Sequence, residues 1–316
     1  MVSSTPPFPS PVKRWHNSAQ PAGDPSLPAL SQKGKSILVT GGGNTGIGGE
    51  TARFFARAGA ARIGLLGRRE GPLLENKALI EKECPGTKVF IQSTDVTDEA
   101  SVNSAFDNFA REGKIDTLIH AAAVIGPTEN FAEVDAREFL KGVTGNIEGS
   151  LWVAKAFIRH AAPDAHVVAI NSWGAHLSLN DAYASYCVAK MAVYRLWDMV
   201  LLAKPNLSVF HTQPGVVLTE MNRRVGGADS FKHVKTDDGE RTTLLHTTMR
   251  LIVLCIVTLP ASFNLWLSTP EARFLKGKFL WCNWDIDDLK SRAKEIESGR
   301  LLNIDLNGWP FGATAH

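Results

Sequence analysis

The chain has 316 residues, a formal net charge of +2, 44% hydrophobic and 21% charged residues, so it suits one large domain or two small ones with a sizeable core. A nearly balanced charge excludes a chain built to hold nucleic acid or an anionic membrane surface. Four scattered cysteines, Cys84, Cys187, Cys255 and Cys282, exclude a disulfide framework and a zinc site, and no metal is expected.

The first 30 residues are rich in Pro and Ser and lack the apolar core of a signal peptide. Residues 1–32 therefore read as an extended or disordered arm. From Lys35 apolar strands alternate with amphipathic helices. Ser36–Thr40 reads as a buried strand, followed by a glycine loop and a helix from about Gly46 to Ala58. Strands follow at Arg62–Leu66, Lys88–Gln92, Ile115–His120, His166–Asn171 and Leu207–Thr212, with helices between them, one near Leu73–Glu83. This alternation implies right-handed crossovers and a doubly wound parallel sheet, an α/β fold of Rossmann type. After Gly215 the alternation breaks. Residues 217–262 read as a lid with an apolar segment at 244–259, in which the longest apolar run, Leu251–Leu259, is too short to span a bilayer. A short strand returns at Lys278–Trp281, and residues 284–316 read as a charged surface helix, ending near Gly299, and a tail.

Two motifs carry chemistry. Thr40-Gly41-Gly42-Gly43-Asn44-Thr45-Gly46-Ile47-Gly48 lies between the first strand and the first helix. A dinucleotide fold needs glycines there, so that the backbone can approach a pyrophosphate while the helix N-terminus favours its charge. Tyr186 and Lys190 stand four positions apart in a helical stretch and so share one face. A lysine beside a tyrosine favours the phenolate and lowers its pKa, and such a tyrosine can exchange a proton with an alcohol or ketone. By itself this spacing also describes an amphipathic helix with a buried tyrosine and a solvated lysine.

These motifs, with four others in order, resemble the short-chain dehydrogenase/reductase family over roughly residues 33–283, most closely its fungal members. The glycine loop resembles the family's TGxxxGxG, and Asp95-Val96 resembles its adenine-contacting Asp. Asn146 lies in a helical Gly-Asn-Ile-Glu-Gly stretch, Ser172 ends the fifth strand, and the Tyr186/Lys190 pair follows. Pro214, Gly215, Val217 and Thr219 resemble the nicotinamide-binding loop. The resemblance implies a catalytic tetrad of Asn146, Ser172, Tyr186 and Lys190. Tyr186 is then the acid in reduction and the base in oxidation, Ser172 holds the substrate carbonyl, and Lys190 holds the nicotinamide ribose and depresses the Tyr186 pKa. Asn146 holds a water behind Lys190. The cofactor contacts would be Gly41, Gly43, Asn44, Thr45, Gly46, Ile47, Gly48, Arg68, Asp95, Val96, Ala121, Ala122, Asn146, Tyr186, Lys190, Pro214, Gly215, Val217 and Thr219.

Gly67 offers no carboxylate to a ribose, whereas Arg68 can grip a 2′-phosphate, so the cofactor expected is NADP(H). The expected partner is a small, mostly apolar carbonyl or alcohol compound, and the expected reaction is reduction of a carbonyl or imine or the reverse alcohol oxidation. A cytoplasmic homodimer or homotetramer serving secondary metabolism fits the resemblance. The alternatives are a nucleotide sensor or scaffold without turnover, and an isomerase or cyclase using the same tyrosine. Three departures from the family pattern stand out. The glycine loop has one extra residue within Gly42–Asn44, His120-Ala121-Ala122-Ala123 replaces NNAG and loses a strand-tying asparagine, and the Ser172–Tyr186 loop is one residue longer than the family's usual spacing. Trp173 and His176 are candidate pocket residues, while Tyr183 and Cys187 read as packing.

Overall fold

The computed structural model describes residue 6 and residues 10–177, 181–224 and 255–306. Seven strands form one sheet: β1 (Ser36–Thr40), β2 (Arg62–Gly67), β3 (Lys88–Ser93), β4 (Ile115–His120), β5 (Ala161–Ile170), β6 (Ser208–Gln213) and β7 (Phe279–Trp281). Their spatial order is β3-β2-β1-β4-β5-β6-β7, and every neighbouring pair is parallel. Parallel neighbours need crossovers. From β1 to β6 these are supplied by α1 (Ile47–Arg57), α2 (Glu70–Glu83), α3 (Glu99–Ala110), α4 (Ala136–His160) and α5 (Ala184–Ala203). The doubly wound α/β fold expected from the alternation is the one observed. Element ends shift by a few residues: α2 begins at Glu70 and β5 at Ala161.

Both faces of the sheet are covered, and the period-two geometry of a strand sorts side chains between them. Ile37 and Val39 of β1 join the core under α1 and the chain termini, whereas Leu38 joins the core under α3, α4 and α5. From β1 the chain builds outward through β2 and β3; from β4 it builds the other way. The loops after β1 and β4 therefore part and open a crevice at the carboxyl ends of the strands. Two of the crossover helices start on capping carboxylates: Asp98 accepts from Ala100 N at α3, and Asp135 accepts from Arg137 N and Glu138 N at α4. The start of α1 at Gly46 has no side-chain cap.

The flanking segments depart from their sequence reading. Residues 10–32 hold two short 3-10 turns, Pro21–Gly23 and Pro28–Leu30, and are packed rather than disordered: Val12, Trp15, Gln20 and Leu30 are buried. Trp15 forms an antiparallel bridge to Trp284. The predicted lid falls largely on residues 225–254, outside the described residues. Within its described beginning lies a short α6 (Glu220–Arg224). The end of the predicted lid is a core element instead. It begins α7 (Thr258–Leu267), whose residues from Leu259 to Leu267 are all buried, and Asn264 donates to Thr51 of α1 at 3.2 Å. A helix apolar all round belongs in a core. The expected surface helix after Asp285 is two short helices, α8 (Ile286–Ser291) and α9 (Ala293–Ser298), which bury Ile286, Leu289 and Ile296. Among the described residues no helix is long and apolar enough to cross a membrane.

Candidate active site

A cavity of about 340 Å³ opens over the crevice. Its floor is the glycine loop. Gly41 has a φ of +71°, in the left-handed region, and a Cβ there would lie 3.0 Å from Ala122 N. A Cβ on Gly48 would lie 2.5 Å from Gly41 O. Both positions need glycine for close approach. Beyond Gly46 the space is open, so the uncapped start of α1 presents its unpaired N–H groups to the cavity. Gly41, Gly43, Thr45, Gly46, Ile47 and Gly48 all line it.

Asn44 does not line the cavity. Its side chain donates to Glu75 and its N–H to Pro72 O, so the extra loop residue is taken up against the start of α2. Asn76 of α2, which the sequence reading missed, holds the loop in that shape. It is buried, and its Nδ2 donates to Gly42 O at 2.8 Å and to Gly49 O at 3.3 Å. The available signal was a polar residue on the buried stripe Leu73, Asn76, Ile80.

At the far end of the cavity Gly67 and Arg68 line the wall after β2, facing Asp95 and Val96. Arg68 is exposed; its neighbour Arg69 pairs with Glu220 across the mouth. Asp95 accepts from Thr97 N and Oγ1 at 3.0 and 2.8 Å. The backbone hydrogen bond from Thr97 first, and then the side-chain bond and the Arg68 charge, hold its carboxyl below the usual range despite partial burial. Ala121 and Ala122 line the cavity through the loop after β4. The asparagine missing from that loop is replaced in its tying role by His120. Its Nδ1 lies 2.9 Å from Thr40 Oγ1 and its Nε2 3.0 Å from Ser150 Oγ, joining β1, β4 and α4. Burial, helped by the Lys190 charge, pushes the His120 pKa down to about 3, so the ring is neutral. An uncapped helix start, glycine backbone and an arginine at one end fit a phosphate-bearing dinucleotide.

At the near end Tyr186, Lys190 and Asn146 line the same cavity. Lys190 is buried and donates to Ile170 O at 2.8 Å, with Nζ 5.5 Å from the centre of the Tyr186 ring. Burial lowers the Lys190 pKa to about 8. The same desolvation pushes Tyr186 up, a hydrogen bond with Ser172 pulls it down, and Lys190 is not among the causes. The expected depression of Tyr186 by Lys190 is thus corrected for this arrangement: the ammonium sits over the ring and spends a proton on a carbonyl. Asn146 is committed too. It donates to Val124 O and Gly142 O at 2.8 Å each, and its Oδ1 accepts from Val124 N at 3.1 Å. Its side chain clamps the loop after β4. Ser172 accepts from Gly174 N at 3.2 Å, capping the turn Trp173–Ala175, and still reaches Tyr186. The longer Ser172–Tyr186 loop therefore keeps the two hydroxyls together. Asn171, also missed by the sequence reading, accepts from Ser172 N at 2.8 Å and donates to Lys190 O at 3.3 Å, tying β5 to α5.

A second cavity of about 140 Å³ adjoins the first at Tyr186, Asn171 and Pro214. Ser172, Gly215 and Val217 line this one and not the larger one, and Thr219 lines both. Trp173 is in its wall, as expected, and so are Tyr183 and Cys187, which had read as packing. Burial pushes the Cys187 thiol up, away from thiolate chemistry. His176 lines neither cavity. It packs edge-on to Phe279 and accepts from Trp281 Nε1 at 3.2 Å.

Residues 35–229 match the family model for short chain dehydrogenase. A Claviceps purpurea protein described as a short chain dehydrogenase/reductase is 29% identical over 277 residues, covering 86% of each chain. The short chain dehydrogenase tazN of Aspergillus terreus is 30% identical over 314 residues, covering 93% of this chain and 63% of its own. Among solved structures, a short-chain type dehydrogenase/reductase from Mycobacterium ulcerans superposes with a TM-score of 0.68 at 23% identity, over 79% of this chain and 89% of that one.

Proposed function

The chain belongs to the short-chain dehydrogenase/reductase family of oxidoreductases, whose cofactor is NAD(H) or NADP(H), and we propose that it is an NADP(H)-dependent reductase of a mostly apolar carbonyl compound, or the reverse alcohol dehydrogenase. The observation that carries this reading is the meeting of the two cavities at Tyr186, with Ser172 bonded to it and Lys190 behind it. The glycine loop, Arg68 and Lys190 would hold a nicotinamide cofactor in the larger cavity, and that group would supply or accept the hydride. The protein's part is to position and to move a proton. Ser172 holds the substrate oxygen, Tyr186 gives its hydroxyl proton to that oxygen in reduction and takes one back in oxidation, and buried Lys190 supplies positive charge beside the phenol. Burial favours the neutral phenol, which suits a proton donor. Asn146 keeps the loop after β4 in place beside Lys190.

Arg68 in the wall, with no carboxylate at Gly67, supports NADP(H) over NAD(H). The substrate cavity's Ile125, Trp173, Val216 and Met221 support an apolar substrate. Exposed Leu140 and Leu151 on α4, and Val188, Met191, Met199 and Leu202 on α5, support pairing of two copies through these helices. A cytoplasmic role in secondary metabolism is part of the same proposal, on the strength of the fungal relatives. The test is a screen of apolar ketones and aldehydes with NADPH and NADH, read by loss of reduced-cofactor absorbance. Oxidation of NADPH with at least one carbonyl class, with the alcohol as product, is the expected result. Tight NADPH binding with no oxidation across the screen would replace the reductase by a binding module.

A further inference from the structure

The loop Pro214–Thr219 divides the two cavities, and what backs it lies outside the matched residues 35–229. Gly215 has a φ of +84°, and a Cβ there would come within 2.6 Å of Cys255 Sγ and 3.4 Å of Asn283 Oδ1. Val216 O accepts from Cys255 N at 2.8 Å, and Val217 bridges to Cys255. The next residue, Ile256, donates its N–H to Asn17 O at 2.9 Å. Asn283 closes the circuit: its Nδ2 donates to His16 O at 2.7 Å and reaches Cys255 Sγ at 3.3 Å, while Asn283 O accepts from His16 N at 2.9 Å.

This N-terminal strap is itself fastened. Gln20 donates to Cys282 O and Trp284 O at 3.0 and 2.8 Å and accepts from Ile286 N at 3.0 Å, and His16 pairs with Asp285 at 2.7 Å. Gln20, Asn283 and Asp285 are all buried. Buried polar groups satisfied this fully fix one geometry. The glycine-loop end of the larger cavity rests on other supports, Asn76 and His120.

We propose that Asn283 and the strap segment 15–20 position the reactive end of the site, setting the height of Gly215–Val217 against the nicotinamide half of the cofactor while leaving the adenosine half alone. Asn283 is a positioning residue, since it acts through Gly215 and Cys255. The inference rests on the dinucleotide reading of the larger cavity.

The experiment compares the wild-type full chain with Asn283→Ala and Gln32→Ala. Gln32 is a buried strap residue bonded to Ser268 and Leu30 O that lines neither cavity. Calorimetry measures binding of NADPH and NADH and of their adenosine halves, 2′,5′-ADP and 5′-ADP, alongside Tm. Asn283→Ala should weaken the whole dinucleotide about tenfold, a change the size of one lost hydrogen bond, and the adenosine half less than about twofold. Gln32→Ala should lower Tm and move neither ligand. Equal weakening of whole and half by Asn283→Ala, or no weakening, overturns the proposal. If Asn283→Ala does not fold, the isosteric Asn283→Asp, which loses the donor, is held to the same split. Failure of the wild type to bind either dinucleotide overturns the cofactor reading, and the positioning role with it.

Discussion

The two ends of the cleft are made of different material. The glycine-loop end is mostly backbone. It is shaped by the absence of Cβ atoms at Gly41 and Gly48 and by an uncapped helix start, and it is braced by Asn76 and His120 from neighbouring elements. The tyrosine end is mostly side chain. Ser172 and Tyr186 come from opposite sides of a long loop, Lys190 is buried, and Gly215–Val217 is backed by the two chain termini. The first end needs room and donors, which cost little. The second needs a buried charge and a buried phenol, so its chemistry is held against the stability of the fold.

Substitutions at the two ends should therefore fail in different ways. The largest effect is expected at the tyrosine end: Tyr186→Phe should reduce turnover by about 10²–10⁴-fold with dinucleotide affinity kept. Full activity in steady-state assays would remove Tyr186 as the acid. At the glycine-loop end the largest effect is on acid stability. The His120 pKa is about 3 in the fold against 6.5 unperturbed. The unfolded chain binds more protons between these values, so stability falls as pH drops from 6.5 toward 3, by on the order of 4–5 kcal/mol. His120→Asn should flatten that decline in urea titrations; an unchanged pH profile would assign acid lability elsewhere.

Lys190→Met should lose turnover yet stabilise the free protein at pH 7. Burial lowers the Lys190 pKa from 10.5 to about 8. The unfolded chain then binds the proton more tightly between pH 8 and 10.5. The penalty is full below pH 8 and fades as pH rises through that window, so the variant gains up to about 3 kcal/mol at pH 7 and little at pH 10.5. A destabilised variant at pH 7 would mean that the bond to Ile170 O outweighs burial. The smallest effect is at the exposed rim: Arg68→Ala should raise the NADPH KM about tenfold and leave the NADH KM within about twofold. Equal effects on both would break the assignment of Arg68 to the 2′-phosphate.

How much could be read in the chain follows the same division. The strands, the crossovers and the glycine loop were legible because each is a local pattern: apolar runs, helical periodicity, glycines at a strand–helix junction. The Tyr186/Lys190 pair was legible as a spacing on one helix. The flanks were not. A Pro/Ser-rich composition predicts an arm, and only packing reveals that Trp15, Gln20 and Leu30 anchor it. The apolar stretch around Leu259 has the same composition whether it covers a pocket or fills a core, and α7 fills a core. Tyr183 and His176 exchanged roles for a related reason. Which of them faces the smaller cavity depends on how the turns after β5 fold, and Trp281 and Phe279, far along the chain, claim His176.

By itself the sequence determined the order and type of the elements, the place where a phosphate can meet a helix start, and which hydroxyls and amine are the candidates for proton transfer. These depend on residues close together in the chain, where periodicity and steric permission act directly. Tertiary structure alone decided the protonation environment and the support. Lys190 loses water because β5 and α5 close around it, and His120 replaces an asparagine because Thr40 and Ser150 come within reach. The loop beside Tyr186 rests on residues 17, 255 and 283 because burying their polar groups requires partners, and the fold brings those partners from opposite ends of the chain.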